Sequence, residues 1–371
     1  MQDVFDIADD LGPAKVLHIH VPDAGLKAIL VVDNVAAGPS IGGVRMAPDV
    51  SLTECARLAR AMTLKNAMAG LPHGGGKSVI FADSRMPEVE KQRLIRAFAT
   101  AIGSELQYIA GPDMGTNEQC MAWVHDEIGR SVGLPRELGG IPLDQLGATG
   151  WGLAHAVKAA LPFCDLDLAG ARVAVQGFGS VGYHAARFLA AQGAVIVAAS
   201  DSRGTIHRPE GLDLGALSRL KTEGKSVAEC RDGEAGGPGD IIDIECDIWI
   251  PAARPDVVTE QNADRLQTRL VAEGANIPLT TGAEEVLHER GVLVLPDFVA
   301  NAGGVICAAM EYHGATQTAA FDAIAEKLTH NTTQVLEAAT NEQIPPRIAA
   351  VKIAKERVRK AMATRRWGGM V

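Results

Sequence analysis

Two groups of residues in this 371-residue chain have the types and spacing that chemistry needs. The first is Gly177, Phe178, Gly179, Ser180, Val181 and Gly182, a GxGxxG run set between a β-branched stretch at 173–175 and a helical pattern. Asp201 ends the next apolar stretch, 19 residues after Gly182. In that setting Gly177 permits a tight turn, Gly179 lets the backbone approach a pyrophosphate, and Gly182 lets the helix pack closely on its strand. The start of the helix directs N–H groups at the phosphates. Asp201 would accept hydrogen bonds from ribose hydroxyls and repel a 2′-phosphate, which favours NAD; Arg203, two residues on, blunts that selection and keeps NADP open. A glycine turn holding no ligand would explain the run alone, but not its place between strand and helix.

The second group lies in the first half: Lys65 in MTLKNAMAG, Lys77 in GLPHGGGKS and Asp113 in AGPDMGT. Lys65 on its own reads as a solvated residue of a helix face. Its neighbours Met62, Leu64, Ala67 and Met68 argue against that, and Lys77 follows three glycines that would expose backbone and leave room for a substrate. Two lysines brought together lower each other's proton affinity, which makes a neutral amine accessible near pH 7. A carboxylate beside them completes an acid/base pair.

These residues must be held by ordered elements, and the composition supplies them. Hydrophobic residues make up 47% of the chain and charged residues 22%, enough apolar surface for two cores at this length. With 35 basic and 45 acidic side chains the net charge is −10 and no basic block occurs, so neither nucleic acid nor an anionic membrane is an expected partner. The six cysteines are scattered without a CxxC pair, so no metal site is expected. The acidic start MQDVFDIADD lacks the character of a signal peptide, which points to the cytoplasm.

The spacing predicts a strand over 25–34, a helix from Leu52 to about Ala69 capped by Ser51, a helix from about Pro87 to Leu106, and a boundary in the Gly- and Pro-rich stretch 138–150. Beyond it, strand, glycine turn, helix and strand form a βαβ unit. Further strands are read at DIIDI, CDIWIPA, RLVAEGA and VLVLPD, giving a mostly parallel sheet, with a loop at 223–240 and a helix at 347–365. Glycines near 139–150 and 302–304 are candidate hinges. The fold class is α/β in two domains, an N-terminal α/β domain and a Rossmann-type dinucleotide-binding domain.

The segments GPSIGGVRM, MTLKNAMAGLPHGGGKSVI, GPDMGTN, GATGWG, GFGSVG, EGANIPLT and PDFVANAGGV follow one another in this order across the chain. Together they resemble the amino acid dehydrogenase superfamily of glutamate, leucine, phenylalanine and valine dehydrogenases. The resemblance implies that Lys77 is the catalytic lysine and Asp113 the acid/base aspartate. It implies that Lys65 binds the α-carboxylate of an L-amino acid, that Asn301 helps hold the same molecule, and that Thr149 and Asn276 stand beside the nicotinamide. Asn301 also suits a helix N-cap, and Thr149 and Asn276 suit turns. A discontinuous first domain, 1–142 plus 331–371, a second domain at 143–330, and a homo-oligomer follow from the same resemblance.

Two positions bear on the side chain of the substrate. Glutamate dehydrogenases of this superfamily carry a lysine directly before the GG pair of the first motif and a serine shortly after NAGGV. Here Ile41 and Ala308 stand there, with Gly43 and Val305 beside them and Met68 a weaker candidate that also reads as core. A glutamate carboxylate buried without a partner would cost several kcal/mol, about a thousandfold in discrimination. The expectation is therefore an apolar substrate, branched or aromatic, the small Ala308 leaving room for a ring. The alternatives are a glutamate dehydrogenase with a modified pocket and a catalytically silent dinucleotide-binding regulator. RPDVV after IPAA departs from the superfamily pattern, and the second half, with SDSRGTIHRPEGLDL, is more like glutamate dehydrogenase than leucine dehydrogenase.

Overall fold

The computed structural model describes residues 4–365. The chain forms two compact units. One holds the chain up to Pro142, Val305–Ala320 and the stretch from Lys352; the other holds Leu143–Gly304 and Phe321–Val351. The first unit thus regains the chain at 305 and again at 352, where the sequence reading set a single return at 331.

The first unit is built on five strands, β1 (Lys15–Val21), β2 (Leu26–Asn34), β3 (Ser40–Ala47), β4 (Gly74–Phe81) and β5 (Tyr108–Pro112), in the order β1-β2-β4-β3-β5. β1, β2 and β4 run antiparallel, while β3 is parallel to both β4 and β5. β2 is buried at every position but Lys27, as its apolar run requires. Leu94, Ile95 and Phe98 pack from the helix Glu88–Ala101 into a core with Leu30, Met46, Tyr108 and Trp123. That helix ends before the Leu106 expected from the sequence: Ile102 and Gly103 close it, and Leu106 is exposed.

The helix Leu52–Met68 begins where Ser51 Oγ accepts from the Glu54 N–H at 3.1 Å, as the capping pattern predicts. The glycines before Lys77 are not an open approach for substrate, as expected from the sequence. They lie buried in β4, and each is required by packing. A Cβ on Gly75 would fall 2.0 Å from Thr63 N, and one on Gly74 would fall 1.7 Å from the Asn34 carbonyl oxygen. The helix and β2 therefore meet β4 at backbone distance.

The second unit is built on β6 (Arg172–Gln176), β7 (Val195–Ser200), β8 (Thr205–His207), β9 (Glu234–Gly236), β10 (Ile248–Pro251), β11 (Leu270–Ala272) and β12 (Leu293–Leu295), ordered β12-β11-β10-β6-β7-β8-β9. The five strands from β12 to β7 are parallel, and β8 and β9 add an antiparallel edge. DIIDI is a short 3-10 helix, Asp240–Asp243, not a strand. Its adjacent Ile241 and Ile242 enter the same core, which strand alternation would forbid. The segment expected as a loop at 223–240 contains the short edge strand β9.

Gly75→Ala should destabilise the protein by about 2–3 kcal/mol, because neither the helix backbone nor β4 can yield. Urea unfolding followed by far-UV circular dichroism measures this; an unchanged midpoint would refute the backbone-to-backbone packing.

Candidate active site

Lys77 is only 6% exposed, in β4, and its ammonium forms an ion pair with Asp113 Oδ2. Asp113 follows β5 and is placed by the strand register, which sets Gly43 of β3 opposite Gly111. Its turn is tied down by Thr116: the Asp113 N–H donates to Thr116 Oγ1 at 2.9 Å, and that hydroxyl donates to the Val44 carbonyl at 2.8 Å. A Cβ on Gly43 would stand 2.7 Å from Asp113 Cβ and 3.0 Å from Lys77 Nζ. Glycine at this position is what allows the pair to form.

Sequence reasoning missed Arg45. It lies two residues beyond Gly43 in β3, so strand alternation puts it on the same face. Its Nε is 3.3 Å from Asp113 Oδ2, and its Nη1 is 2.6 Å from Glu54 Oε1. Burial alone would raise the proton affinity of Asp113. Lys77 first and then Arg45 outweigh it, and the carboxyl is held below its usual range.

Lys65 is half-buried in the last turn of the helix Leu52–Met68, two residues past the Thr63 that meets Gly75. Ile41 is buried in β3, and Met68 is fully buried, as its reading as core requires. Val305 and Ala308 are half-buried, one turn apart on the helix Gly303–Tyr312. That helix is anchored by Glu311, also missed, whose carboxylate accepts the N–H groups of Gly133 at 2.7 Å, Leu134 at 3.1 Å and Ile141 at 2.7 Å.

In the second unit the glycine turn follows β6, next to the segment after β10, where the strand order reverses. Gly177 has φ +90°, and a Cβ there would lie 2.7 Å from Ala253 N. A Cβ on Gly182 would lie 2.1 Å from the Gly177 carbonyl oxygen, while one on Gly179 would meet nothing within 4 Å. Two glycines are thus used in packing and the middle one faces open space, as a pyrophosphate over the start of the helix Ser180–Ala190 requires. Phe178 is buried, Val181 borders Gly274, and Ser180 Oγ donates to the Asp144 carbonyl at 2.8 Å.

Thr149 and Asn276, expected beside the nicotinamide, and Asn301, expected at the amino acid, lie in the same unit. Asn301 Nδ2 donates to Asn276 Oδ1 at 3.0 Å and to the Ala275 carbonyl at 3.1 Å. A Cβ on Gly304 would touch Thr149 Oγ1 at 3.0 Å. Asp201 stands after β7, and protein donors reach both its oxygens: Arg203 N (3.0 Å) and Ser226 Oγ (2.8 Å) on Oδ1, Val227 N (3.0 Å) and Lys221 Nζ (3.4 Å) on Oδ2. It orders its own loop.

This fold, with a glycine turn at the switch point of a parallel sheet and a lysine–aspartate pair in a separate α/β unit, defines a dinucleotide-dependent dehydrogenase class. Residues 139–366 match the Glutamate/Leucine/Phenylalanine/Valine dehydrogenase family, and residues 13–130 match the Glu/Leu/Phe/Val dehydrogenase dimerisation domain. The chain belongs to this family of amino acid dehydrogenases, whose members use NAD or NADP. It is 38% identical to a glutamate dehydrogenase of Aeropyrum pernix, over 96% of this chain and 92% of that one. Its structure is similar to a hetero-hexameric glutamate dehydrogenase from Thermus thermophilus in a Leu-bound form (30% identity, TM-score 0.83, 97% and 91% of the chains). It is also similar to L-tryptophan dehydrogenase from Nostoc punctiforme (25% identity, TM-score 0.76, 96% and 99%). Among the described residues no helix is long and apolar enough to cross a membrane.

Burial raises the Asp201 carboxyl, but the backbone donors of Arg203 and Val227, with Ser226 and Lys221, bring it from 3.8 down to about 2. A carboxyl depressed in the folded state contributes stability that is complete above its unfolded value and lost as the pH falls through the folded one. Asp201→Asn should therefore be less stable than the parent at pH 7, and the difference should shrink between pH 3.8 and 2. Urea midpoints of both proteins across that range give the answer; a constant gap would count against the assigned bonds.

Proposed function

We propose that this protein catalyses the reversible oxidative deamination of an L-amino acid with an apolar side chain, branched or aromatic, to its 2-oxo acid and ammonia. The observation that carries the reading is the ion pair between buried Lys77 and half-buried Asp113 at Gly43, the first unit's concentration of acid/base chemistry. Lys65 binds the α-carboxylate, and Asn301 contributes to holding the amino acid. Thr149 and Asn276 border the nicotinamide, and Gly177–Gly182 and Asp201 carry the rest of the cofactor. NAD or NADP, when bound, accepts the hydride from Cα.

The chain's own groups handle charge and protons. Lys77 stabilises the negative charge that develops on the substrate oxygen and orients the attacking water. Asp113 moves protons to and from the amine. A carboxylate held low by Lys77 is a weak base. Pairing at rest also keeps the buried Lys77 ammonium from standing alone.

The side-chain assignment rests on Ile41 and Ala308, which offer a distal carboxylate neither a cation nor a hydroxyl. A second reading, glutamate, is favoured by the names of the relatives, since full-length matches carry the name glutamate dehydrogenase. A silent regulator would have no use for the Lys77–Asp113 pair. The matched dimerisation domain and the hetero-hexameric neighbour support assembly into an oligomer, and a homo-oligomer is the form proposed for this chain.

A panel of L-amino acids with both cofactors should give the highest kcat/KM with an apolar substrate, about a thousandfold above glutamate. Comparable or faster turnover of glutamate would establish the second reading instead, and no turnover of any amino acid would end both. Lys77→Ala should lower kcat by at least about a thousandfold and leave NADH affinity near that of the parent. Loss of cofactor binding in that variant would show that Lys77 is misassigned.

A further inference from the structure

The second unit contains a buried charge cluster that the reaction outlined above does not use. Arg347, near the start of the helix Pro346–Thr364, directs its guanidinium at three carboxylates. Nε lies 2.6 Å from Glu284 Oε1, Nη1 3.0 Å from Asp297 Oδ1, and Nη2 2.9 Å from Glu273 Oε2. Glu273 is wholly buried, and Glu284 and Asp297 nearly so. Three carboxylates around one guanidinium leave excess negative charge away from water, a poor way to gain stability. Burial foremost pushes the Glu273 carboxyl well above its ordinary range against the pull of Arg347, and the facing carboxylates of Glu284 and Asp297 add to the rise. Its Oε1 has no hydrogen-bond donor.

The cluster holds two loops in one arrangement. Glu273 Oε2 accepts the N–H of Asp297 at 2.8 Å, and Asp297 Oδ2 accepts the N–H of Ile277 at 2.9 Å. Ile277 has φ +50°, a conformation that a β-branched residue adopts only when its surroundings impose it. Its neighbour Asn276 accepts from Asn301, and Asn301 returns its backbone N–H to the Asp297 carbonyl at 2.8 Å. The bonds close a ring through 297, 277, 276 and 301, and Glu273 is attached to it at Asp297.

We propose that Glu273 and Arg347 are positioning residues for the dehydrogenase reaction: acting through Asp297, they fix Asn276 and Asn301 and so the orientation of the nicotinamide. This rests on the amino acid dehydrogenase reading above. Neither residue need touch substrate or cofactor.

The test compares the full-length parent with Glu273→Gln and Glu273→Ala. Glutamine keeps the shape of the side chain and an acceptor for the Asp297 N–H; alanine removes both. The measurements are kcat and KM with the best amino acid, NADH affinity, the emission of bound NADH, which reports the nicotinamide's surroundings without turnover, and thermal unfolding. Glu273→Gln should stay within about twofold of the parent in kcat. Glu273→Ala should lose about tenfold or more and change the bound-NADH emission, with NADH affinity kept within about threefold by the untouched pyrophosphate turn. Parent-like kcat and emission in Glu273→Ala, or equal loss in Glu273→Gln, would overturn the proposal. Should Glu273→Ala fail to fold, Arg347→Lys, which keeps the charge but spans fewer carboxylates, carries the same expectation. A parent that turns over no amino acid fails the dehydrogenase reading alone, and the emission arm still decides positioning.

Discussion

A charged ammonium on a buried strand cannot be left without a counter-charge, because an unpaired ion away from water costs several kcal/mol. Lys77 meets that constraint through Asp113, and much of the first unit follows from it. Strand β5 must end beside β3 so that Asp113 arrives at the right height, and the parallel register between those strands does this. Position 43 must have no side chain, since any Cβ would occupy the space between the two partners. Arg45 then shares the same carboxylate, with Glu54 behind it, so the local charge is spread over four groups.

The second unit meets a different demand with different means. Phosphates need backbone N–H groups and room, so the turn at Gly177–Gly182 uses two glycines for close packing and leaves the middle one open. Carboxylates in this unit serve geometry. Asp201 gathers four donors and orders the chain as far as Val227, while Glu273, Glu284 and Asp297 converge on Arg347 and tie together the loops that carry Asn276 and Asn301. Such clusters gain little stability over an apolar core, but they specify one arrangement of the backbone around them.

Much of the site was legible as sequence because its signals are local. A glycine turn between a strand and a helix, or a Ser51 cap before an apolar period, needs only a short window. The features that escaped are those whose partners are distant in the chain. Arg45 lies in a stretch where the sequence offered no strand reading, and its bond to Asp113 spans 68 positions. Glu311 reaches Gly133, Leu134 and Ile141 from more than 150 residues away. The run at 74–76 was misread for the same reason: the atoms that exclude a side chain there belong to Thr63, Asn34, Ser40 and Tyr108. DIIDI has the composition of a strand, and only the core into which both isoleucines turn gives it another shape.

From the order of amino acids alone came the α/β class, the dinucleotide turn, the two lysines and the aspartate, since each is written in residue type and short spacing. Which lysine pairs with that aspartate, why the glycines before it cannot be replaced, and which carboxylates act on charge and which on geometry were settled by the folded chain. Those properties depend on what lies within a few ångströms of a side chain, and in this protein the decisive neighbours come from other strands and helices.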